Sequence, residues 1–383
     1  MSVLTTISPI TSSAIITTPA TSIEDIDNKI LPTAVSAQKK WASTSLAERK
    51  AIVAKYIELL KDDETATRLG KDITKQMGRP VRYTKGEIST AALRAEVLLG
   101  YADEALAPVN VDESTRPSFK KYLTKDPLGV ILIIFPWNYP YLCLTNGLIP
   151  ALLAGNSVLI KPSPQTPNVA NEVAKLFKTA GLPDGVLQVV HSGDVQVLEG
   201  LVQRKAVAGV VFTGSVEGGL AVQKAAAGRT IPIALELGGN DPAYVRSDVK
   251  DIKATAEDIV DGAIFNSGQS CCSIERVYVD EKVYDQFVDA AVEIVKGYKL
   301  GDPFDESTQI GPVISEKAAR GIRAQIKDAV DRGAKKLIPS ETFAQAEKLN
   351  PTFVAPQILV NLDETSRKYL KYSWLGRYSG PSI

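Results

Sequence analysis

The chain has 383 residues, 44% apolar and 23% charged, and its 44 basic and 44 acidic side chains leave no formal net charge. The length allows two or three ordinary domains, and the composition is that of a soluble globular protein, which excludes disorder as the default. The charge balance gives no reason to expect a nucleic-acid partner. No apolar run reaches the roughly 18 residues that cross a bilayer, so no membrane span is expected.

Residues 1–22 are rich in Ser and Thr and carry no charged side chain. A secretory signal needs a basic leader and a mitochondrial presequence needs Arg, so this stretch reads as a mobile polar tail. Residues 23–107 read as helical. Ser45-Leu46-Ala47-Glu48 has the form of a capping box ahead of an amphipathic run through Leu60. Residues 90–105 form a second such run, and both are expected to pack on a sheet without taking part in chemistry. Residues 108–128 are polar, with Arg116-Pro117 followed by Phe119, Tyr122 and Leu123, which suggests a short hairpin.

From residue 129 the pattern becomes α/β. Gly129-Val130-Ile131-Leu132-Ile133-Ile134 is a continuous apolar run, as expected of a strand covered on both faces. Further strands are expected over 157–160, 186–190 and 209–212, with helices over 141–154, 169–180, 195–203 and 216–227. That alternation predicts a parallel, Rossmann-like sheet. Residues 252–266 and 284–296 read as helices and 276–279 as a strand. The helix-then-strand theme continues to a strand over 356–360. The domains expected are a polar tail (1–22), the helices with a nucleotide-binding domain (23–235), a second α/β domain (236–365) and an atypical tail (366–383).

The first strand ends in Phe135-Pro136-Trp137-Asn138-Tyr139-Pro140, without the glycine pattern usual in dinucleotide folds. Glycine follows the fourth strand instead, in Phe212-Thr213-Gly214-Ser215-Val216-Glu217-Gly218-Gly219. There Gly214 would allow a tight turn, and Ser215 would offer a hydroxyl at a helix N-terminus, where N–H groups bind phosphate. Lys161 directly follows the second strand, at the sheet edge where open parallel sheets hold ligands.

The three cysteines, at 143, 271 and 272, make no disulfide framework, and a reducing, cytoplasmic compartment is the natural reading. Cys143 reads as a small buried hydrophobe. The single histidine, His191, sits where a strand runs into a turn and reads as structural. The His and Cys clusters of a zinc site are missing, so no metal is expected.

These pieces stand in order with three more: Gly155-Asn156-Ser157-Val158 before Lys161-Pro162-Ser163-Pro164, then Leu235-Glu236-Leu237-Gly238-Gly239, then Gly268-Gln269-Ser270-Cys271. From about residue 30 to about residue 365 the sequence resembles the NAD(P)-dependent aldehyde dehydrogenase superfamily. The resemblance implies oxidation of an aldehyde to a carboxylic acid with NAD(P)+ and water. Cys271 would attack the carbonyl, and the Asn138 amide with the Cys271 N–H would stabilise the oxyanion. Hydride would pass to the nicotinamide, and Glu236 would activate the water that hydrolyses the thioester. Lys161 would hold the adenine ribose and Ser215 the pyrophosphate. Trp137, Gly214, Gly219, Phe135, Ile134 and Leu237 would complete the cofactor site. The chemistry is sound, since an ionised cysteine is a strong nucleophile and a partly buried carboxylate suits the base.

Two departures stand out. Pro164 replaces a glutamate that many NAD-preferring relatives place against the ribose hydroxyls; both NAD and NADP stay open, with a lean to the commoner NAD. After Thr365 no Glu-x-Phe-Gly-Pro motif follows, and 366–383 lacks acidic residues and does not read as the next piece of an α/β domain. The expectation is an incomplete catalytic domain in a C-terminally altered member. It would lack the family's oligomerisation strand, although a homo-oligomer is the family's habit, and would be poorly soluble or inactive. Two rival readings remain: a catalytically inactive cofactor-binding or scaffold protein, and a coenzyme A-acylating dehydrogenase, against which Glu236 argues.

Overall fold

The computed structural model describes residues 2–111 and 120–362 and the backbone of 374–378. Its contacts divide the chain into two units. One comprises Met1–Thr6, Ile16–Gly70 and Lys85–Leu237; the other comprises Ile7–Ile15, Lys71–Thr84 and Gly238–Ile383.

The N-terminal residues differ from the tail expected of them. Strands β1 (Val3–Ile7) and β2 (Ala14–Pro19) pair as a two-stranded sheet. Their Thr, Ile and Val content is β-branched, which favours a pleated strand whatever the charge. The capping box forms as its sequence suggests. The Ser45 hydroxyl accepts from the Glu48 N–H (3.2 Å), and Glu48 Oε2 accepts from the Ser45 N–H (2.8 Å). The helix it starts, Leu46–Lys61, buries Val53, Tyr56, Ile57 and Leu60, and Tyr56 stacks on Phe177 at 3.9 Å between ring centroids. The run read as a helix over 90–105 is longer at its start and interrupted near its end, as Val81–Gly100 and Ala102–Leu106. Strands β3 (Val109–Asn110) and β4 (Tyr122–Leu123) form the antiparallel pair expected there. Arg116, Pro117 and Phe119 lie outside the described residues.

The first unit is built on β5 (Val130–Ile134), β6 (Ser157–Lys161), β7 (Leu187–Val189), β8 (Val207–Thr213) and β9 (Ile233–Glu236). They form one parallel sheet in the order β7-β6-β5-β8-β9. β5 is buried at every position, which is why its sequence shows no alternation. Leu132, Ile134, Leu159, Val210 and Phe212 belong to this unit's core. The chain leaves β5 in one direction for β6 and β7, then returns beside β5 for β8 and β9. The order therefore reverses between β5 and β8, which makes their carboxyl ends the expected ligand crevice. Residues 233–236 are the fifth strand of this sheet, so the boundary expected before Glu236 falls inside a strand.

The second unit contains β10 (Asp241–Val245), β11 (Ile274–Asp280), β12 (Lys335–Lys336), β13 (Leu359–Val360) and β14 (Trp374–Tyr378), in the order β10-β11-β14-β13-β12. The strand expected over 356–360 is thus only its last two residues. β12 runs antiparallel to β13, and the other pairs are parallel. Only the reading of 366–383 as no part of an α/β domain is corrected here, because β14 pairs along its whole length with β11, Arg276↔Trp374 to Asp280↔Tyr378. Acidic residues are no requirement of a strand, whereas the Trp, Leu and Tyr of 374–378 suit one. Val277, Val279, Phe287, Val295 and Phe353 lie in this unit's core.

Candidate active site

The first unit gathers most of the residues expected to act on a nucleotide at the carboxyl edge of its sheet. Ile134 ends β5, paired with Lys161 on one side and Phe212 on the other. The Phe135 N–H donates to the Lys161 carbonyl (3.2 Å), and the Ser163 N–H donates to the Phe135 carbonyl (3.1 Å), so the loops after β5 and β6 are stitched together. Pro136-Trp137-Asn138-Tyr139 then turns into the helix Pro140–Leu153, which begins with proline, where a missing N–H costs nothing. Asn138 and Trp137 are half-buried. The Asn138 side-chain oxygen accepts from the Tyr139 N–H (3.1 Å), which fixes the turn.

After β8, Ser215 caps the helix Val216–Ala225 by accepting from the Gly218 N–H at 3.1 Å. Its hydroxyl hydrogen is left to donate to an anion at that terminus. Gly214 is required for a reason other than the tight turn expected: its backbone is not left-handed, but a Cβ there would stand 2.8 Å from the Phe212 ring. A Cβ on Gly219 would stand 2.6 Å from Leu237, so these two residues pack on each other. Glu236 ends β9, opposite Thr213, and its carbonyl accepts from the Gly214 N–H at 3.0 Å. Its side chain is exposed, so the partial burial expected of a base is not found.

Lys161 is only partly exposed, and burial pulls its pKa down to about 8. Among the described residues its ammonium has no hydrogen bond and no ion pair. Nearby, the Thr166 hydroxyl is buried without a partner. An unpaired, partly buried cation at the sheet edge is what an anionic cofactor would satisfy, so the residues present fit a dinucleotide.

The second unit carries the thiol. The helix Ile252–Ile264 stops two residues short of expectation because Asn266 (φ 55°) and Ser267 (φ 58°) are left-handed. Such backbone costs about 1–3 kcal/mol at a non-glycine residue and persists only where neighbours hold it. Here Arg79 Nε donates to Asn266 Oδ1 (3.0 Å), and the Ser267 hydroxyl donates to the Gly311 carbonyl (2.9 Å). Gln269 works in both directions: its amide donates to the Asn266 carbonyl (3.1 Å), and its oxygen accepts from the Ile314 N–H (2.8 Å). A Cβ on Gly239 would fall 2.6 Å from the Cys271 carbonyl, so glycine is what allows this close approach.

Cys271 and Cys272 are both exposed on that loop. Partial burial of the Cys271 sulfur, the Cys272 thiol beside it and the charge of Asp241 all push the Cys271 pKa up. The surroundings therefore favour thiol over thiolate. Cys143, on the helix Pro140–Leu153, is half-buried. Arg79 was not singled out by the sequence, and 187 positions separate it from Asn266. Gln269 carried a signal only as part of a motif.

His191 lies just past β7. Its Nε2 meets Asn171 Oδ1 at 3.0 Å, and its N–H donates to the Thr21 hydroxyl at 2.9 Å. Among the described residues no group of three or more His, Cys, Asp or Glu could hold a metal ion, and no helix is long and apolar enough to cross a membrane.

Comparison with known proteins gives a consistent result. The model of the aldehyde dehydrogenase family matches residues 2–370. A succinate-semialdehyde dehydrogenase [NADP(+)] of Deinococcus radiodurans is 32% identical over 364 residues, which is 95% of this chain and 74% of that protein. The structure of a Streptococcus pyogenes succinic semialdehyde dehydrogenase with NADP+ superposes with a TM-score of 0.88 at 27% identity, over 98% of this chain and 82% of that one. The structure of PnpE with nicotinamide adenine dinucleotide superposes with a TM-score of 0.91 at 26% identity, over 99% and 77%.

Proposed function

Because the chain belongs to the aldehyde dehydrogenase family, we propose that it oxidises an aldehyde to the carboxylic acid through a thioester on Cys271. The observation that carries this reading is the loop itself. An exposed thiol follows a backbone strained at Asn266 and Ser267 and held by Arg79, Gln269 and Gly311, the kind of preorganisation that a nucleophile needs and a structural cysteine does not.

The Cys271 thiol gives its proton to solvent, and its sulfur adds to the aldehyde carbonyl, giving a thiohemiacetal oxyanion. The Asn138 amide and the Cys271 N–H hold the oxygen that gains charge, a contribution of roughly 10²–10³ in rate per donor. NAD or NADP, when bound, supplies the hydride acceptor. Lys161 holds the adenosine ribose and Ser215 the pyrophosphate; Trp137, Phe135, Ile134, Gly214, Gly219 and Leu237 shape the surrounding walls. Glu236 then takes a proton from water, whose oxygen attacks the thioester; the acid leaves and the thiol is restored. The carboxylate at position 236 favours attack by water over attack by coenzyme A.

A specific observation favours a second reading, cofactor binding without turnover: the Cys271 pKa is pushed up rather than down. Mass spectrometry of Glu236→Gln after mixing with an aldehyde and NAD(P)+ separates the two. Turnover predicts an acyl adduct that accumulates on the Cys271 peptide, and an unmodified peptide sinks the proposal.

A further inference from the structure

The helix Pro140–Leu153, which carries the chain away from Asn138, starts without a cap of its own. Pro140 has no N–H, and the Tyr139 side chain makes no capping bond. Asn138 stands one place too early, and its side-chain oxygen accepts from the Tyr139 N–H at 3.1 Å. The first bond inside the helix runs from the Cys143 N–H to the Tyr139 carbonyl (2.9 Å). Ahead of that bond, the Tyr141 N–H finds its acceptor on another helix. Glu87, on the helix Val81–Gly100, accepts from it through Oε1 at 3.0 Å.

Both ends of that contact lie in the first unit and are buried, Glu87 6% exposed and Tyr141 1%. A glutamate is rarely taken into an interior unless donors meet it there, because its carboxylate gives up water. A helix N-terminus offers such donors, and its unsatisfied N–H groups carry partial positive charge. Glu87 thus supplies from outside the helix what Ser, Thr or Asp normally supplies at its start. Two turns farther along the same face of the Glu87 helix, Arg94 Nη1 donates to Asn146 Oδ1 at 2.8 Å. These two bonds fix one helix against the other. The opposite end of the Asn138 turn is held by the Phe135 N–H, which donates to the Lys161 carbonyl at 3.2 Å. The turn is clamped on both sides.

We propose that Glu87 is a positioning residue, which holds the turn from which Asn138 presents its amide N–H to the oxygen of the aldehyde. This rests on the reading of Asn138 as an oxyanion donor. With the Asn138 oxygen engaged by the Tyr139 N–H, the side chain turns its nitrogen to the substrate, and the place of that nitrogen follows the backbone of 138–141. Without the Glu87 acceptor the first turn of the helix loosens and the amide shifts. A displacement of about 1 Å is enough to lower a rate roughly 10²-fold. An oxyanion donor meets charge that develops only as the reaction proceeds, so the loss falls on kcat and not on the KM of the aldehyde.

The test is a kinetic double-mutant cycle on the whole chain, following reduced nicotinamide with an aldehyde that the parent oxidises. Glu87→Asp keeps the carboxylate but is a methylene shorter, and Glu87→Gln keeps an acceptor oxygen at the original reach. We expect Glu87→Asp to lower kcat by about 10–10²-fold at nearly constant KM, and Glu87→Gln to recover most of that loss. In an Asn138→Ala background Glu87→Asp should have no further effect, because the group it positions is gone. Ser45→Ala, which weakens a helix start away from this turn, should leave kcat as in the parent. Amide exchange over 139–142 reads the same contact without turnover, and should be faster in Glu87→Asp than in the parent or Glu87→Gln. Parent-like kcat or parent-like exchange in Glu87→Asp overturns the role of Glu87, and so does an equal loss of kcat with and without the Asn138 amide. Parent-like turnover by Asn138→Ala removes the oxyanion reading instead, and a parent that oxidises no aldehyde removes the proposed reaction; the positioning role falls with either.

Discussion

Arg79→Ala removes the guanidinium that holds the left-handed turn ahead of Cys271. Arg79 is 2% exposed and Asn266 1%, so the donor to Asn266 Oδ1 is lost in the protein interior and not at its surface. A hydrogen bond from a charged donor contributes about 1.5–3 kcal/mol, and the vacated side-chain volume adds a cavity penalty. The turn itself stores about 1–3 kcal/mol at each of Asn266 and Ser267, which these contacts must offset. The expected loss of stability is therefore about 3 kcal/mol or more, read from the midpoint of urea unfolding. The loop should relax before the fold does. Rates of iodoacetamide labelling, followed peptide by peptide, should change at Cys271 while Cys143 on its own helix stays as in the parent. Arg79→Lys, which keeps charge but not the planar fork, should recover part of the stability and little of the labelling pattern. Parent-like unfolding and parent-like Cys271 labelling in Arg79→Ala would refute the claim that this contact holds the thiol loop.

Other outcomes follow from the same geometry. Because its pKa is raised by burial, Cys272 and Asp241, Cys271 should label faster as pH rises, with a midpoint above that of a free cysteine; a midpoint below it contradicts the electrostatics described. Gly239→Ala sets a Cβ against the Cys271 carbonyl at 2.6 Å and should cost about 1–3 kcal/mol in denaturant unfolding. Gly238→Ala, with open space around it, should stay within about 0.5 kcal/mol. Ser45→Ala removes the hydroxyl that accepts from the Glu48 N–H, leaves the backbone N–H of residue 45 to Glu48, and should cost about 1 kcal/mol, measured the same way.

The sequence made the first sheet legible because each central strand is an apolar run of strand length bounded by a helix. β5 needed no alternation, since both its faces are covered. The order of the strands was not written in those runs. It decides that the Asn138 loop and the Ser215 loop flank the reversal between β5 and β8. The candidate residues were legible through motifs, but their environments were not. Glu236 is exposed where burial was expected, and Gly214 is small because of the Phe212 ring rather than its backbone angle. Arg79 could not be found from sequence, since its partner lies far along the chain and it has no local pattern. The N-terminal hairpin and β14 are hard to read from sequence for one reason: absent or unbalanced charge masks the strand signal of their β-branched and aromatic residues. Strand pairing satisfies backbone groups and does not require acidic side chains.

The central claim is that Cys271 is the nucleophile of an aldehyde oxidation. It is tested most directly by following reduced nicotinamide with a panel of aldehydes and both NAD+ and NADP+, for the parent chain and Cys271→Ala side by side. Aldehyde-dependent reduction by the parent that vanishes in Cys271→Ala, with Cys272→Ala still active, is the predicted result. Equal reduction by the parent and Cys271→Ala would contradict it.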